Sequence, residues 1–491
     1  MQQKTILMLA ALATLLAACN KTPDVVKEQE ADGVPVFFGA YVNRGVATKS
    51  GATGTLTTEM LKNTAVSKGF GVFGYYTNDE PYGPSAKPDF MYNQQVSFTG
   101  TAWDYSPIKY WPNNFGTSAA SDAIDRLSFF AYAPFVDVTY STGLVNGNDE
   151  TSEDYATTGI TGLTRNTASG DPMVRYVASM DPANCVDLCW GVTAFPFNST
   201  VDDSDNNDVK KGEPFINLIK PKTQDRLSFD FKHALAALNV QIDTDIDVTD
   251  HSGADLNTNQ TRIYVRSVTF EGFTDKGSLN LNSRWAEDNT TPTWMDLAGT
   301  SIPDKTPVIV YDGRRDGKEG VSGAVANNEL PIGLNPAVIQ SVPYGDASLS
   351  TGVTHTPVNL LNGTDIDTPV LVIPNGQSMK VTLVYDVETI DEHLAKTLSD
   401  GKTPGSSIEN NITASVLLEN GDELTLSAGK KYTLKLHIGM TSVKMAAIVS
   451  DWDEGDEGSA NLPVNTTTTT TVTIDPVTGL PVPSGSGGTG I

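Results

Sequence analysis

The stretch Lys431-Tyr-Thr-Leu-Lys-Leu-His-Ile438 alternates between polar and apolar side chains more clearly than any other part of the chain. Successive side chains of a β-strand point to opposite faces, so one face of this stretch is apolar. That face carries Tyr432, Leu434, Leu436 and Ile438. The pattern predicts a strand that buries one face in a hydrophobic core.

Comparable strand patterns recur along the chain. In Arg226–Lys232 the residues Leu227, Phe229 and Phe231 share a face, and His233–Ile242 is predicted to continue the same strand. Further runs rich in β-branched and aromatic residues are bounded by Gly, Pro and Asn. These runs are Val34–Val42, Gly69–Tyr76, Phe90–Phe98, Leu127–Pro134, Thr261–Phe270, Pro369–Ile373 and Met379–Tyr385.

Helical patterns are few and short. Thr57 or Thr58 is suited to cap a helix over Glu59–Lys62, and a second helix is predicted over Ile390–Leu398, closed by Gly401. Many short strands with so little helix predict an all-β sandwich architecture and exclude alternating βαβ units.

The length of 491 residues allows two or three domains. Residues 246–260 are polar and acidic, without a long apolar run, and we place a domain boundary there. The prediction is an N-terminal β-sandwich domain over 34–245, a C-terminal β-sandwich domain over 246–460, and an extended Thr-rich tail over 461–491.

The N-terminus has the pattern of a bacterial lipoprotein precursor. Lys4 precedes an apolar run, Ile6–Leu16, which is too short to span a bilayer. Small residues then lead directly to Cys19, as in a lipobox. We therefore predict a signal peptide over 1–18, lipid on Cys19 and a tether over 19–33; an ordinary cleaved signal with an incidental cysteine is the alternative.

Charge and motifs exclude several functional classes. The net charge of −26 repels phosphate backbones, so nucleic acid is not an expected partner. The chain has no phosphate-binding Gly-Lys-Ser/Thr loop, His-Glu-x-x-His or Gly-x-Ser-x-Gly motif, and its five histidines are scattered singly. We expect no enzymatic activity, catalytic residue, metal site or cofactor.

Two further groups of residues leave alternatives open. Cys185 and Cys189 are either buried thiols or a local disulfide, and no pair of further ligands with metal-site spacing lies nearby in the sequence. Four aromatic residues are either core, which we favour, or a surface on which sugars stack. They are Trp103, Tyr105, Tyr110 and Trp111.

Several stretches, in this order, resemble the fimbrillin family of Bacteroidetes, the subunits of type V pili. They are Val34–Val42, Gly71–Tyr76, Trp103–Pro112, Leu127–Pro134, Val186–Gly191, Leu227–Leu238, Gly429–Gly439 and Val449–Trp452. The resemblance implies two transthyretin-like β-sandwich domains with few short helices. It also implies an outer-membrane lipoprotein precursor that becomes part of a cell-surface fimbrium.

In this family an Arg-specific protease removes the first strand, and an extended C-terminal segment of the next subunit fills the groove. The resemblance therefore implies Val34–Val42 as the removable strand and Arg44 as the cut site; an ordinary loop arginine is the alternative for Arg44. The apolar residues of the tail are the implied donor strand: Val472, Ile474, Val477, Leu480 and Val482. The tail favours a polymerising stalk subunit over a tip subunit.

The implied partners are other copies of the chain and related pilus subunits, the outer membrane through the lipid before processing, and a host or bacterial surface receptor. The alternative function is a lipid-anchored tip or anchor adhesin, or a glycan-binding surface module, that does not polymerise.

Overall fold

The computed structural model describes most of the chain between residues 33 and 451. The described residues are 33–42, 56–65, 67–78, 80–112, 125–137, 158–180, 182–197, 209–219, 226–244, 261–285, 292–297, 299, 301, 303, 305–312, 358–359, 369–397, 404–418, 421–438 and 443–451. Within them, no helix combines the length and apolar character needed to cross a membrane.

The described residues form strands almost throughout, which confirms the all-β class. The first eleven strands are β1 (Phe37–Val42), β2 (Phe70–Asn78), β3 (Met91–Phe98), β4 (Trp103–Asp104), β5 (Arg126–Ala133), β6 (Gly159–Leu163), β7 (Met173–Val177), β8 (Cys189–Thr193), β9 (Phe215–Leu218), β10 (Arg226–His233) and β11 (Ala236–Thr244).

The remaining strands follow in chain order. They are β12 (Thr261–Glu271), β13 (Phe273–Thr274), β14 (Lys276–Asn280), β15 (Trp294–Met295), β16 (Val308–Asp312), β17 (Val358–Asn359), β18 (Val370–Pro374), β19 (Lys380–Ile390), β20 (Gly405–Ser415), β21 (Lys430–Ile438) and β22 (Val443–Asp451). Within the described residues, the helical elements are α1 (Thr58–Lys62) and a 3-10 turn at Pro182–Asn184.

The first sheet contains eight strands in the order β1-β10-β8-β5-β2-β3-β4, with β9 paired to β5. Its two ends meet, because the segment before β1 pairs with the segment after β4. The Val36 amide donates to the Lys109 carbonyl at 2.9 Å, and the Trp111 amide donates to the Val34 carbonyl at 2.8 Å. The curled sheet therefore closes at β1.

The interior of this curled sheet is the N-terminal core. Leu227, Phe229 and Phe231 are fully buried in it, which confirms the shared face predicted for the stretch 226–232. The opposite face of the sheet is also covered. Phe130 and Trp190 pack there in a second core with residues of the sheet β15-β14-β7-β6.

The predicted continuation of β10 through Ile242 is wrong. Residues 226–244 form two strands in two sheets, because β11 pairs with β18 and β21. Ala234 and Leu235 between them are buried, and their backbone groups bind other segments: Ala234 N donates to Leu188 O, and Gly429 N donates to Leu235 O. The strands of the chain thus change sheet before residue 245. In addition, β14 pairs with β7, although the two strands lie on opposite sides of the predicted domain boundary at 246–260. The boundary itself stays a prediction.

The C-terminal core lies between two sheets. A six-stranded sheet has the order β13-β18-β11-β21-β22, with β17 on β11, and a four-stranded sheet has the order β16-β12-β19-β20. Both sheets contribute buried side chains to one core, including Leu434 and Leu436 from the first sheet and Val381 and Leu383 from the second. The apolar face predicted for 431–438 is confirmed, since its four apolar residues are at most 2% exposed.

One of the two predicted helices is present. Helix α1 begins after Thr57, whose side chain accepts a hydrogen bond from the Met60 amide. The helix predicted over Ile390–Leu398 is wrong, because Ile390 ends β19 and a turn leads to β20. Asp391 forms this turn: its side chain accepts from the His393 amide, and its amide donates to the Pro404 carbonyl.

Candidate functional site

The candidate functional site is the first strand, β1, and the slot in which it lies. The slot is the space beside β10 that is lined by Tyr105, Phe129 and Phe229. β1 pairs in parallel with β10 over six residues, from Phe37 opposite Arg226 to Val42 opposite Phe231. β1 is the last strand of the sheet order on that side. Its backbone is therefore held by one neighbouring strand, and by the pairing of the segment just before it.

Alternate side chains of the first strand enter the N-terminal core. Val36, Phe38, Ala40 and Val42 are between 0 and 8% exposed. The Phe38 ring is central among aromatic neighbours, with centroids 5.4 Å from Tyr105, 5.6 Å from Phe129 and 6.0 Å from Phe229. Burial of a side chain of this size stabilises a fold by about 1.5–3 kcal/mol.

The outward residues of β1 make weaker contacts. Tyr41 is 37% exposed and its ring lies edge-on to Phe195, at 6.1 Å. The Arg226 guanidinium lies 5.7 Å from the centre of the Phe37 ring. The strand is thus amphipathic, and its energetic contribution comes mainly from the inward face.

Tyr105 joins the core side of the slot to the backbone of the first strand. Its hydroxyl donates to the Val36 carbonyl at 2.8 Å, and burial raises the pKa of this phenol above its ordinary value. The neutral hydroxyl therefore persists through the physiological range as a hydrogen-bond donor to the strand.

The chain is anchored on both sides of residues 43–55. At the end of β1 the Val42 amide donates to Thr58 Oγ1 at 2.9 Å, and the same hydroxyl donates to the Val42 carbonyl at 3.3 Å. On the far side the Leu56 amide donates to Asp187 Oδ2 at 2.6 Å. The strand and the start of α1 are consequently tied together.

Most of the predicted site residues lie outside the described residues. Only the removable strand, over residues 34–42, is placed by the structure. The others are Cys19, Arg44, Val472, Ile474, Val477, Leu480 and Val482.

The structure decides between the alternatives left open for the cysteines, and between those left open for the four aromatic residues. Cys185 and Cys189 do not form a disulfide. Trp103, Tyr105 and Trp111 are at most 7% exposed and belong to the N-terminal core, which confirms the favoured interpretation; Tyr110 alone of the four is exposed. These residues do not form a shared stacking surface for sugars.

A cluster that sequence reasoning missed lies just beyond the end of β1. Asp187, Cys189 and His233 are all buried, and each offers a ligand atom within 4.8 Å of the others. Cys189 and His233 are direct partners in the register of β8 and β10. Cys189 and His233 are 44 residues apart in the chain, so their proximity could be recognised only once the pairing of β8 with β10 was known. The sequence alone showed only that Asp187 and Cys189 are two residues apart.

Comparisons with known proteins find similarity to a fimbrium subunit and to fimbrial and cell adhesion proteins. It is 23% identical over 474 residues to the fimbrium subunit Fim1C of Phocaeicola vulgatus, covering 94% of this chain and 100% of that protein. A fimbrial protein crystal structure from Bacteroides vulgatus aligns with a TM-score of 0.45 and 17% identity, over 85% of this chain and 99% of that one.

A crystal structure of a putative cell adhesion protein from Bacteroides uniformis aligns with a TM-score of 0.32 and 13% identity, over 86% of this chain and 100% of that one. No family model matches the chain.

Proposed function

We propose that the chain is a member of the fimbrillin family, that it is a stalk subunit of a cell-surface fimbrium, and that it polymerises by strand exchange. In this proposal the first strand is removed from each subunit, and the tail of the next subunit takes its place. The protein acts as a structural component and catalyses no reaction.

The observation that carries the proposal is the position of β1. The strand lies at the end of its sheet and inserts an apolar side chain at every second residue from Val36 to Val42. Its removal would leave the backbone groups of β10 without a partner beside an apolar slot. Such an edge is a ready site for strand addition, in which backbone bonds give affinity and alternate side chains fill the slot.

The tail has the properties that a replacement strand requires. Its threonine-rich start favours extended backbone, and apolar residues recur from Val472 to Val482. A tail that fills the groove of another copy makes a head-to-tail contact, and such contacts build open filaments when they do not close into rings. The tail and the slot would thus form the two halves of one interface.

The lipid on Cys19 and the cut after Arg44 would control when this happens. Before the cut, β1 fills its own slot, so the precursor is unable to accept a donor strand. The cut releases residues 19–44 together with the lipid. Cys19 would then deliver the precursor to the outer membrane without anchoring the mature fimbrium.

Mass analysis of the protein from sheared fimbriae and from the membrane fraction tests the proposal. We expect a terminus at Gly45 in the fimbriae and a lipidated Cys19 in the membrane fraction. Arg44→Ala should leave only the lipidated form and abolish polymer ladders, whereas Lys49→Ala, a nearby basic residue, should be processed normally. A lipidated terminus in intact polymer would refute the proposal.

A further inference from the structure

We propose that Asp187, Cys189 and His233 bind one divalent cation of the zinc class, as a structural site that fastens β8 to β10. This site is independent of polymerisation. The three side chains are 0–4% exposed as residues, so they lie in the interior of the protein. Among the described residues they are the group of His, Cys and acidic side chains placed closely enough to share an ion.

The donor chemistry suits zinc. Thiolate, imidazole and carboxylate are the three side-chain ligands that Zn²⁺ binds in proteins, whereas Ca²⁺ and Mg²⁺ take oxygen ligands alone. One ligand of each kind is present here. A thiolate and a carboxylate together balance the charge of a divalent ion, which matters because an unbalanced charge is costly in a buried site.

The separations between Cys189 and the other two ligands are close to those around a tetrahedral ion. Bonds of about 2.3 Å to sulfur and about 2.0 Å to nitrogen or oxygen place neighbouring ligand atoms about 3.3–3.6 Å apart. Cys189 Sγ lies 3.5 Å from His233 Nδ1 and 3.9 Å from Asp187 Oδ1. His233 Nδ1 lies 2.8 Å from Asp187 Oδ2. The two distances to Sγ are within about half an ångström of this spacing, whereas the imidazole and the carboxylate are at hydrogen-bond distance and have to move apart when the ion enters.

The surroundings of the cluster resemble the second shell of a metal site. The Leu56 amide and the His233 ring both contact Asp187 Oδ2, while Oδ1 of the same carboxylate faces Cys189. A backbone donor on one carboxylate oxygen orients the other toward an ion. Cys189 and His233 are opposite each other on neighbouring strands, so regular sheet pairing fixes their spacing.

Loading the site requires two proton changes. The Cys189 thiol releases its proton to solvent as the thiolate–metal bond forms. His233 binds through Nδ1, so its remaining ring proton must lie on Nε2. Three protein ligands leave the fourth tetrahedral position to a water molecule. The competing arrangement is a hydrogen-bonded Asp–His–Cys group that holds no metal.

Cobalt substitution separates the two arrangements. The untagged full-length chain is unfolded, refolded with Co²⁺ and dialysed, so that burial does not limit access. We expect one Co²⁺ per chain, with the thiolate-to-cobalt charge-transfer band and strong visible absorption of a four-coordinate ion. Added Zn²⁺ should bleach both features and raise the thermal unfolding midpoint.

Cys185 provides a matched control, since it is the other thiol of the described fold and its Sγ contacts the Ser179 carbonyl instead. Cys185→Ser should keep the metal and its spectrum, and Cys189→Ser should lose the charge-transfer band. Absence of stoichiometric Co²⁺ in the wild-type chain, or a Co²⁺ spectrum without the thiolate band, overturns the proposal even if Cys189→Ser does not fold. Equal metal retention by Cys189→Ser also overturns it.

Discussion

The hydroxyl of Thr58 both accepts from the Val42 amide, at 2.9 Å, and donates to the Val42 carbonyl, at 3.3 Å. Val42 is the last residue of β1 and Thr58 is the first of α1. The Thr58 side chain therefore joins the end of β1 to the start of α1, the two segments that flank residues 43–55. The predicted cut site at Arg44 falls within these residues. Under the proposed function, this contact would belong to the uncut precursor and would be absent from a subunit that has lost its first strand.

Replacement of Thr58 should destabilise the precursor. Thr58→Ala removes both bonds and leaves partly buried backbone groups of Val42 without this partner, which costs about 1–3 kcal/mol. Urea unfolding of the uncut chain measures this change. The exposed Thr101 is the matched control, and Thr101→Ala should alter stability by less than about 0.5 kcal/mol. Equal stability of the two variants would contradict the assigned role of Thr58.

Two aromatic residues of β1 should differ sharply in their effects. Phe38 is 1% exposed among three aromatic rings, so Phe38→Ala should lower the unfolding free energy of the precursor by about 3–5 kcal/mol. Tyr41 lies on the same strand but faces outward, and Tyr41→Ala should cost about 1 kcal/mol or less.

Denaturant unfolding of both variants in the uncut chain is the measurement. If Tyr41→Ala proved the more damaging, the strand would lie in the slot with its other face inward. The same ranking is not expected after cleavage at Arg44, since both residues would leave with the strand.

The periodicity of the sequence predicted individual strands well but not their partners. The alternation of polar and apolar residues identified the buried faces around Phe229 and Leu434. This was possible because the direction of each side chain depends only on its position within its own strand. The change of sheet between β10 and β11 was not predicted, because Ala234 and Leu235 are not among the residue types that mark a turn.

The candidate site shows the same limit. The amphipathic pattern of residues 34–42 is visible in the sequence, but its parallel pairing with β10 joins segments almost 190 positions apart. The helix predicted over Ile390–Leu398 failed for a different reason. Asp391 uses its side chain to bind the His393 amide, and this local bond competes with helix formation.

A charged residue at an inward position of the tail should block polymerisation. If Ile474 fills the slot vacated by β1, Ile474→Asp would bury a carboxylate without a partner, at a cost of several kcal/mol. Thr473→Asp adds the same charge at the neighbouring position, which faces outward in an extended strand. Polymer ladders from processed subunits provide the measurement.

We expect Ile474→Asp to yield monomers and Thr473→Asp to retain polymers. Loss of polymers in both variants would indicate a general effect of charge, and retention in both would exclude this register of the donor strand.

Alkaline pH should weaken the precursor through its buried tyrosines, among them Tyr105. Burial raises its pKa above the ordinary value of 10.0, so the folded state holds the phenolic proton more tightly than the unfolded chain does. The stability from this linkage is complete below about pH 10 and is lost as the pH rises toward the higher folded pKa. Tyr105→Phe removes one such group and also the hydrogen bond to the Val36 carbonyl.

Tyr105→Phe should therefore be about 1 kcal/mol less stable than the wild type at pH 7, and this deficit should shrink as the pH approaches 11. Urea unfolding at a series of pH values measures the difference directly. Tyr110→Phe is the control for removal of a hydroxyl, because Tyr110 is 42% exposed, and it should change the stability at pH 7 by less than about 0.5 kcal/mol. A constant deficit for Tyr105→Phe up to pH 11 would show that the unfolded chain protects this phenol as strongly as the slot does.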